Sequence, residues 1–180
     1  MAVLESIRNF FVPQSWPDEE IVTPAPRTTY RVLPLTAERL SDVLRLNIRC
    51  FRNGDNYTKY TFEYLFNEPR TLGYQVVSAA GEMVAFAFVM VKENDSAHLT
   101  TIGVAPEHRR RRIAGTLLGH VEKALVARGV NTIMLEVRVS NVAAHDLYRR
   151  WGYSVVQRIN QYYNNGEDCF LMMKSLGVYN

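Results

Sequence analysis

Thr100-Thr101-Ile102-Gly103-Val104-Ala105-Pro106-Glu107-His108-Arg109-Arg110-Arg111-Arg112-Ile113-Ala114-Gly115 changes character twice. Its first residues end a strand-like run that starts at Ala97, and Pro106 interrupts that run because proline has no N–H for a ladder. Four consecutive arginines follow. Then Ile113, Leu117, Leu118, Val121, Leu125 and Val126 recur at helical spacing and stop at Gly129, a natural C′ residue after Arg128. A strand that feeds a basic loop opening an amphipathic helix aims unpaired backbone N–H groups and guanidinium donors at one spot. That is a place for a pyrophosphate. An arginine run alone describes equally well a solvated basic surface or a nucleic-acid patch; its position, where strand becomes helix, argues against both.

Working outward toward the N-terminus, Met83 to Lys92 and Leu72 to Ala79 read as two strands around Ala80-Gly81, rich in β-branched and aromatic residues. Thr58 to about Asn67 reads as a helix ending before Glu68-Pro69. Asn53-Gly54 signals a turn. Leu40, Val43, Leu44, Ile48 and Phe51 form one stripe of a helix spanning Ala37 to Phe51, with Thr36 as its N-cap. Tyr30 to Leu35 is a short strand. Residues 1–29 hold four of the seven prolines and no sustained period, which marks an N-terminal extension. There Phe10, Phe11 and Trp16 either dock on the domain or belong to a loosely ordered leader.

Toward the C-terminus, Asn131 to Val139 reads as a strand with Ile133, Leu135, Val137 and Val139 on one face and Met134, Glu136 and Arg138 on the other. Ser140-Asn141 caps a short helix from Val142 to about Trp151, with Tyr148 two turns along it. Tyr153 to Tyr163, the turn Asn164-Asn165-Gly166 and Asp168 to Lys174 form a closing hairpin. The order is β-α-α-β-β-β-α-β-α-β-β, with residues 30–180 as one domain.

Composition narrows the class. A 180-residue chain with 47% hydrophobic and 22% charged residues is ordinary globular protein. Twenty-one basic against eighteen acidic residues leave a net charge of +3, too small by itself to imply nucleic acid. Cys50 and Cys169 stand far apart in no metal-ligand spacing, so free thiols in a reducing cytosol and no metal are expected. His98, His108, His120 and His145 form no ligand set and default to surface or core. No run approaches the ~18 apolar residues of a membrane span, and the expected location is cytoplasmic.

At the two strand-to-helix junctions the sequence resembles the GNAT superfamily of acetyl-CoA-dependent N-acetyltransferases. The first is similar to its Q/R-x-x-G-x-G/A signature through Arg109, Ile113 and Ala114. The second, Ser140-Asn141-Val142-Ala143-Ala144-His145-Asp146-Leu147-Tyr148 through Gly152-Tyr153, resembles the family's Ser-Asn-x-x-Ala-x-x-Leu-Tyr segment. The run Leu135-Glu136-Val137-Arg138-Val139-Ser140-Asn141 and the ending Tyr162-Tyr163-Asn164-Asn165-Gly166-Glu167-Asp168 look most like the RimI-type and other N-terminal acetyltransferases. Arg112 departs from the pattern by standing where the motif usually has glycine; a helical φ would accommodate it.

The resemblance implies an α/β fold with a mixed, mainly antiparallel seven-stranded sheet splayed in the middle and about four flanking helices. It also implies that Ile102, Gly103 and Val104 hold pantetheine through their backbone, that Arg109, Arg110, Arg111, Arg112, Ile113, Ala114 and Gly115 wrap the pyrophosphate, and that Asn141 binds the pantetheine arm. Glu136 becomes the candidate general base and Tyr148 the candidate general acid, with acetyl-CoA as co-substrate. An α-amine has a pKa of ~7.7 to 8.0 against ~10.4 for lysine, so one carboxylate acting through water suffices as base. Neither cysteine belongs to a Cys/His pair, which favours direct attack over an acyl-enzyme. Tyr57, Tyr162 and Tyr163 are the acceptor candidates, their rings and hydroxyls suited to a peptide. The implied acceptor is a protein or peptide N-terminus, with a ribosomal protein as first guess and neither nucleic acid nor membrane as partner. A lysine or small-molecule amine remains the alternative, ahead of a non-catalytic acyl-CoA-binding module. Oligomeric state and any auxiliary subunit are not legible.

Overall fold

The computed structural model describes residues 22–51 and 56–177. Phe10, Phe11, Trp16 and the Asn53-Gly54 turn lie outside them, as does all but 22–29 of the expected extension. The strands are β1 (Tyr30–Pro34), β2 (Thr71–Ser78), β3 (Met83–Val91), β4 (Ser96–Val104), β5 (Thr132–Arg138), β6 (Ser154–Ile159) and β7 (Cys169–Ser175). The α-helices are α1 (Leu40–Cys50), α2 (Lys59–Asn67), α3 (Ile113–Val126) and α4 (Val142–Arg150), with 3-10 turns at Ala37–Arg39 and Pro106–His108. The seven strands form a sheet in the order β1-β2-β3-β4-β5-β7-β6. β1/β2, β5/β7 and β6/β7 pair antiparallel, and β4/β5 pair parallel. Among the described residues no helix is long and apolar enough to cross a membrane.

The chain divides into two compact units, the first running through Phe88 and taking in Thr101–Leu117, the second comprising Val89–Thr100 and the chain from Leu118. In the first unit β1 runs antiparallel to β2 from Tyr30↔Ser78 to Pro34↔Tyr74. Thr58 opens α2 by accepting the Thr61 N–H at 3.3 Å, which satisfies one of the donors a helix start leaves orphaned. The apolar stripe of α2 then brings Phe62 to within 5.9 Å of Phe86 and 5.7 Å of Phe88, ring to ring. All three are fully buried, each contributing roughly 1.5–3 kcal/mol over an exposed ring. In β4, a Cβ on Gly103 would lie 2.9 Å from the Phe86 ring and 3.1 Å from Cys50 Sγ. Glycine is required there for close approach rather than for its φ.

In the second unit β5 lies against β7 from Thr132↔Ser175 to Arg138↔Cys169. Its parallel register with β4 covers Ser96↔Thr132, Ala97↔Ile133 and His98↔Met134. Beyond Met134, β5 continues along β7 to Arg138↔Cys169. Gly129 closes α3 as expected: at φ 76° it lets the Val130 N–H reach the Leu125 carbonyl at 3.1 Å. Asn141 Oδ1 accepts the Ala144 N–H at 3.2 Å and caps α4.

Two local expectations are corrected. The strand expected to run through Tyr163 ends at Ile159, so Tyr162 and Tyr163 sit in the loop before β7. Asp168 causes this: its carboxylate takes the Gln161 N–H at 2.8 Å and the Arg158 Nη2 at 2.6 Å, and Gln161 turns to φ 49°. Side-chain hydrogen bonds to the backbone have replaced the ladder. The second correction concerns Arg112. Its φ is 62°, left-handed rather than helical, and Arg110 shares the conformation at φ 63°. Each costs roughly 1–2 kcal/mol relative to the right-handed region.

Candidate active site

In the first unit β4 ends at Ile102, Gly103 and Val104, after which the Ala105 N–H bonds the Val84 carbonyl at 2.8 Å. The chain makes the 3-10 turn Pro106–His108 and enters the arginine loop. Here the four arginines separate into two kinds. Arg109 donates from Nε to the Val104 carbonyl and from Nη2 to the Cys50 carbonyl, both at 3.2 Å. Arg111 donates from Nη1 to the Pro26 carbonyl at 2.8 Å and to the Tyr30 hydroxyl at 2.9 Å, and from Nη2 to the Ala25 carbonyl. Arg110 and Arg112 are exposed, each on a left-handed residue. Ile113, Ala114 and Gly115 begin α3, and the amides of a first helical turn have no intrahelical acceptor.

Tyr57, also in the first unit, packs edge-on against Phe62 at 5.9 Å, and its carbonyl accepts from Asn47 Nδ2 at 3.1 Å. Burial pushes the Cys50 thiol up to about 12, against the lowering influence of Arg109 and Arg49. Cys169 in the second unit is likewise pushed to about 12 by burial, with the Glu136 charge adding to it. Neither offers a thiolate nucleophile at neutral pH.

The second unit holds the acid–base candidates. Glu136 Oε2 accepts from His98 Nε2 at 2.6 Å, with side-chain exposures of 7% and 6%. The other oxygen, Oε1, is buried with no hydrogen-bond partner among the described residues. Tyr148 is buried on α4, its ring 5.6 Å from Tyr153. Burial pushes its phenol well above the ordinary tyrosine value, so the proton stays on oxygen throughout the usual pH range. Asn141 is exposed at the start of α4, its amide oxygen serving as the cap.

Arg138 is the last residue of β5. It points to the closing loop, where Nη1 meets Glu167 Oε2 at 2.5 Å and Asn165 Oδ1 at 3.1 Å, and its guanidinium carbon lies 3.8 Å from the centre of the Tyr163 ring. Glu167 Oε1 takes the Ser140 N–H at 2.9 Å. Burial acts to raise the Glu167 pKa, but the hydrogen bonds from Ser140 and Arg138 outweigh it and hold the carboxyl below its usual value. Tyr162 and Tyr163 stack edge to face at 5.1 Å. Among the described residues no group of His, Cys, Asp and Glu could hold a metal ion.

Sequence reasoning left His98 among the surface or core histidines and missed its contact with Glu136. The signal for His98 was register: with His98 opposite Met134 in parallel strands, Glu136 falls two residues on, on the same face. Strand adjacency is needed to use it.

Residues 40–153, more than half of the chain, match the model of the Acetyltransferase (GNAT) family. The chain is 38% identical over 106 residues to the [ribosomal protein bS18]-alanine N-acetyltransferase of Escherichia coli K12, spanning 57% of this chain and 70% of that protein. It is 28% identical over 155 residues to the N-alpha-acetyltransferase daf-31 of Caenorhabditis elegans, spanning 74% of this chain and 85% of that one. The crystal structure of the ribosomal-protein-S18-alanine N-acetyltransferase from E. coli superposes with a TM-score of 0.77 at 30% identity, over 84% of this chain and 97% of that one. The chain belongs to the GNAT acetyltransferase family. It is an acetyl-CoA-dependent N-acetyltransferase.

Proposed function

We propose that the chain acetylates the α-amine of a protein or peptide N-terminus, by direct attack of the amine on the thioester of acetyl-CoA. The observation that carries this reading is the Glu136 carboxylate, with one oxygen held by His98 and the other buried without a partner. Leaving such an oxygen unsatisfied costs about 1–3 kcal/mol or more. An incoming amine or a bridging water would satisfy it.

The carbonyl carbon gains an N–C bond and loses its C–S bond. Glu136 takes the ammonium proton directly or through water, His98 fixing the carboxylate rotamer, and Tyr148 gives its proton to the departing thiolate and is restored by the second proton that the acylated nitrogen sheds. A phenol kept neutral by burial suits the second role. Two thiols raised to about 12, chiefly by desolvation, speak for direct attack without an acyl-enzyme. For the co-substrate, Ile102, Gly103, Val104 and Asn141 would hold the pantetheine arm. Arg109–Gly115 would hold the pyrophosphate, through the first-turn amides of α3 and the exposed guanidiniums of Arg110 and Arg112. Tyr57, Tyr162 and Tyr163 would contact the acceptor. Relatives named for ribosomal protein bS18 make a ribosomal-protein N-terminus the first acceptor to try.

The test is thiol release from acetyl-CoA with peptides that differ only in their first residues, alanine included, each paired with an N-terminally blocked peptide containing lysine. Turnover on free N-termini alone is expected. Turnover on blocked lysine peptides alone would overturn the α-amine acceptor, and none on any peptide despite CoA binding would overturn peptide acetylation.

A further inference from the structure

Two left-handed non-glycine residues flank Arg111, at Arg110 (φ 63°) and Arg112 (φ 62°). An unsupported loop would relax out of that conformation, since each such residue lies uphill of its right-handed alternative. Something must hold it, and the restraint is visible at Arg111 itself. Its guanidinium bridges the carbonyls of Ala25 and Pro26 and the hydroxyl of Tyr30. The same segment is tied a second time, because the Ala25 N–H donates to the Glu107 carbonyl at 3.0 Å. A third tie runs from the Tyr30 hydroxyl to His108 Nδ1 at 3.0 Å, with the two rings edge to face. Because arginine only donates, the Tyr30 oxygen accepts from Arg111.

Tyr30 begins β1, which is locked to β2 through Tyr30↔Ser78. The brace therefore transmits the rigidity of a paired strand to the arginine loop. It also engages three of the five guanidinium N–H donors with protein oxygens.

We propose that Arg111 is a positioning residue for acetyl-CoA. Strapped to Ala25, Pro26 and Tyr30, it holds Arg110, Arg112 and the first turn of α3 in the shape that receives the pyrophosphate, and it does not itself bind phosphate. The inference rests on the acetyl-CoA reading above and adds to it a function for the segment that precedes β1.

The experiment measures the CoA dissociation constant by calorimetry, and steady-state constants for acetyl-CoA and acceptor peptide, in Arg111→Ala, Arg111→Lys, Tyr30→Phe and the Arg111→Ala/Tyr30→Phe double variant. Arg111→Ala is expected to raise the CoA dissociation constant and the acetyl-CoA KM about tenfold, the scale of one charge-assisted hydrogen bond, while kcat and the acceptor KM stay within about twofold. Arg111→Lys recovers part of the loss. Tyr30→Phe, which removes one hydroxyl and no charge, raises the same two constants a few-fold, and the double variant is no worse than Arg111→Ala alone. Wild-type constants in Tyr30→Phe, or losses that multiply in the double variant, would overturn the positioning role and leave Arg111 as a direct ligand or a bystander. Tyr30→Phe keeps the test decisive if Arg111→Ala does not fold. Wild-type protein that binds no CoA would instead overturn the cofactor reading, and the inference with it.

Discussion

The arginine loop at residues 109–112 and the His98–Glu136 pair hold charge in opposite ways. The loop keeps its charge near water, with Arg109, Arg110 and Arg112 exposed, and the unusual element there is the backbone, left-handed at two residues. The His98–Glu136 pair sits in regular strand, and the unusual element is a buried carboxylate with an unused oxygen. Strain in the first region is conformational, and in the second it is electrostatic. A phosphate ligand calls for preorganised donors that can stay hydrated until it arrives, whereas a base calls for a desolvated acceptor facing the reacting proton.

The largest expected effect breaks the comparison on the acid–base side. Glu136→Gln should lower kcat by about 10²–10⁴-fold, the usual span for losing general-base catalysis, and leave the CoA dissociation constant unchanged. Tyr148→Phe should fall in kcat by a similar or smaller factor, again with CoA binding intact. Full turnover in either variant removes that residue from the chemistry. Next comes the clasp formed by Glu167, Arg138 and the Ser140 N–H. Because the folded carboxyl titrates below its ordinary value, the clasp is complete above that value and is lost only as pH falls through the depressed one. Hydrogen exchange at the Ser140 amide, taken relative to its intrinsic rate at each pH, should accelerate as pH falls through that window. In Glu167→Gln it should be fast throughout; protection surviving in Glu167→Gln would mean the clasp is not what holds the loop.

The smallest effect belongs to the arginine loop. Arg112→Gly should raise the unfolding midpoint by a few degrees, corresponding to about 1 kcal/mol of relieved left-handed strain. An unchanged or lower midpoint in calorimetry would mean that the Arg112 side chain makes up for its backbone.

Much of this molecule was legible along the chain. The Glu68-Pro69 stop and the hydrophobic period placed α2 and α3, respectively, to within a residue or two, and Gly129 marked the end of α3 because only a residue tolerant of positive φ closes a helix that way. Asn141 as the cap of α4 followed from a short polar side chain at a strand-to-helix junction. The hairpin loop was harder. Nothing local says that Asp168 will capture the Gln161 N–H and end β6 at Ile159, because that bond spans the turn. Nor does the run of four arginines disclose which of them face a ligand. Their side chains are identical, and the sorting depends on where the carbonyls of Cys50, Val104, Ala25 and Pro26 come to lie.

The sequence by itself determined the element order and the two strand-to-helix junctions, because periodicity and caps are properties of neighbours along the chain, while Glu136 and Tyr148 became candidates through the family resemblance. Only the tertiary structure decided that Glu136 meets His98, that Arg138 serves the closing loop, and that Arg111 braces the segment before β1. Each of these joins residues dozens of positions apart in the chain. Such partners are chosen by strand register and burial, which local sequence does not encode.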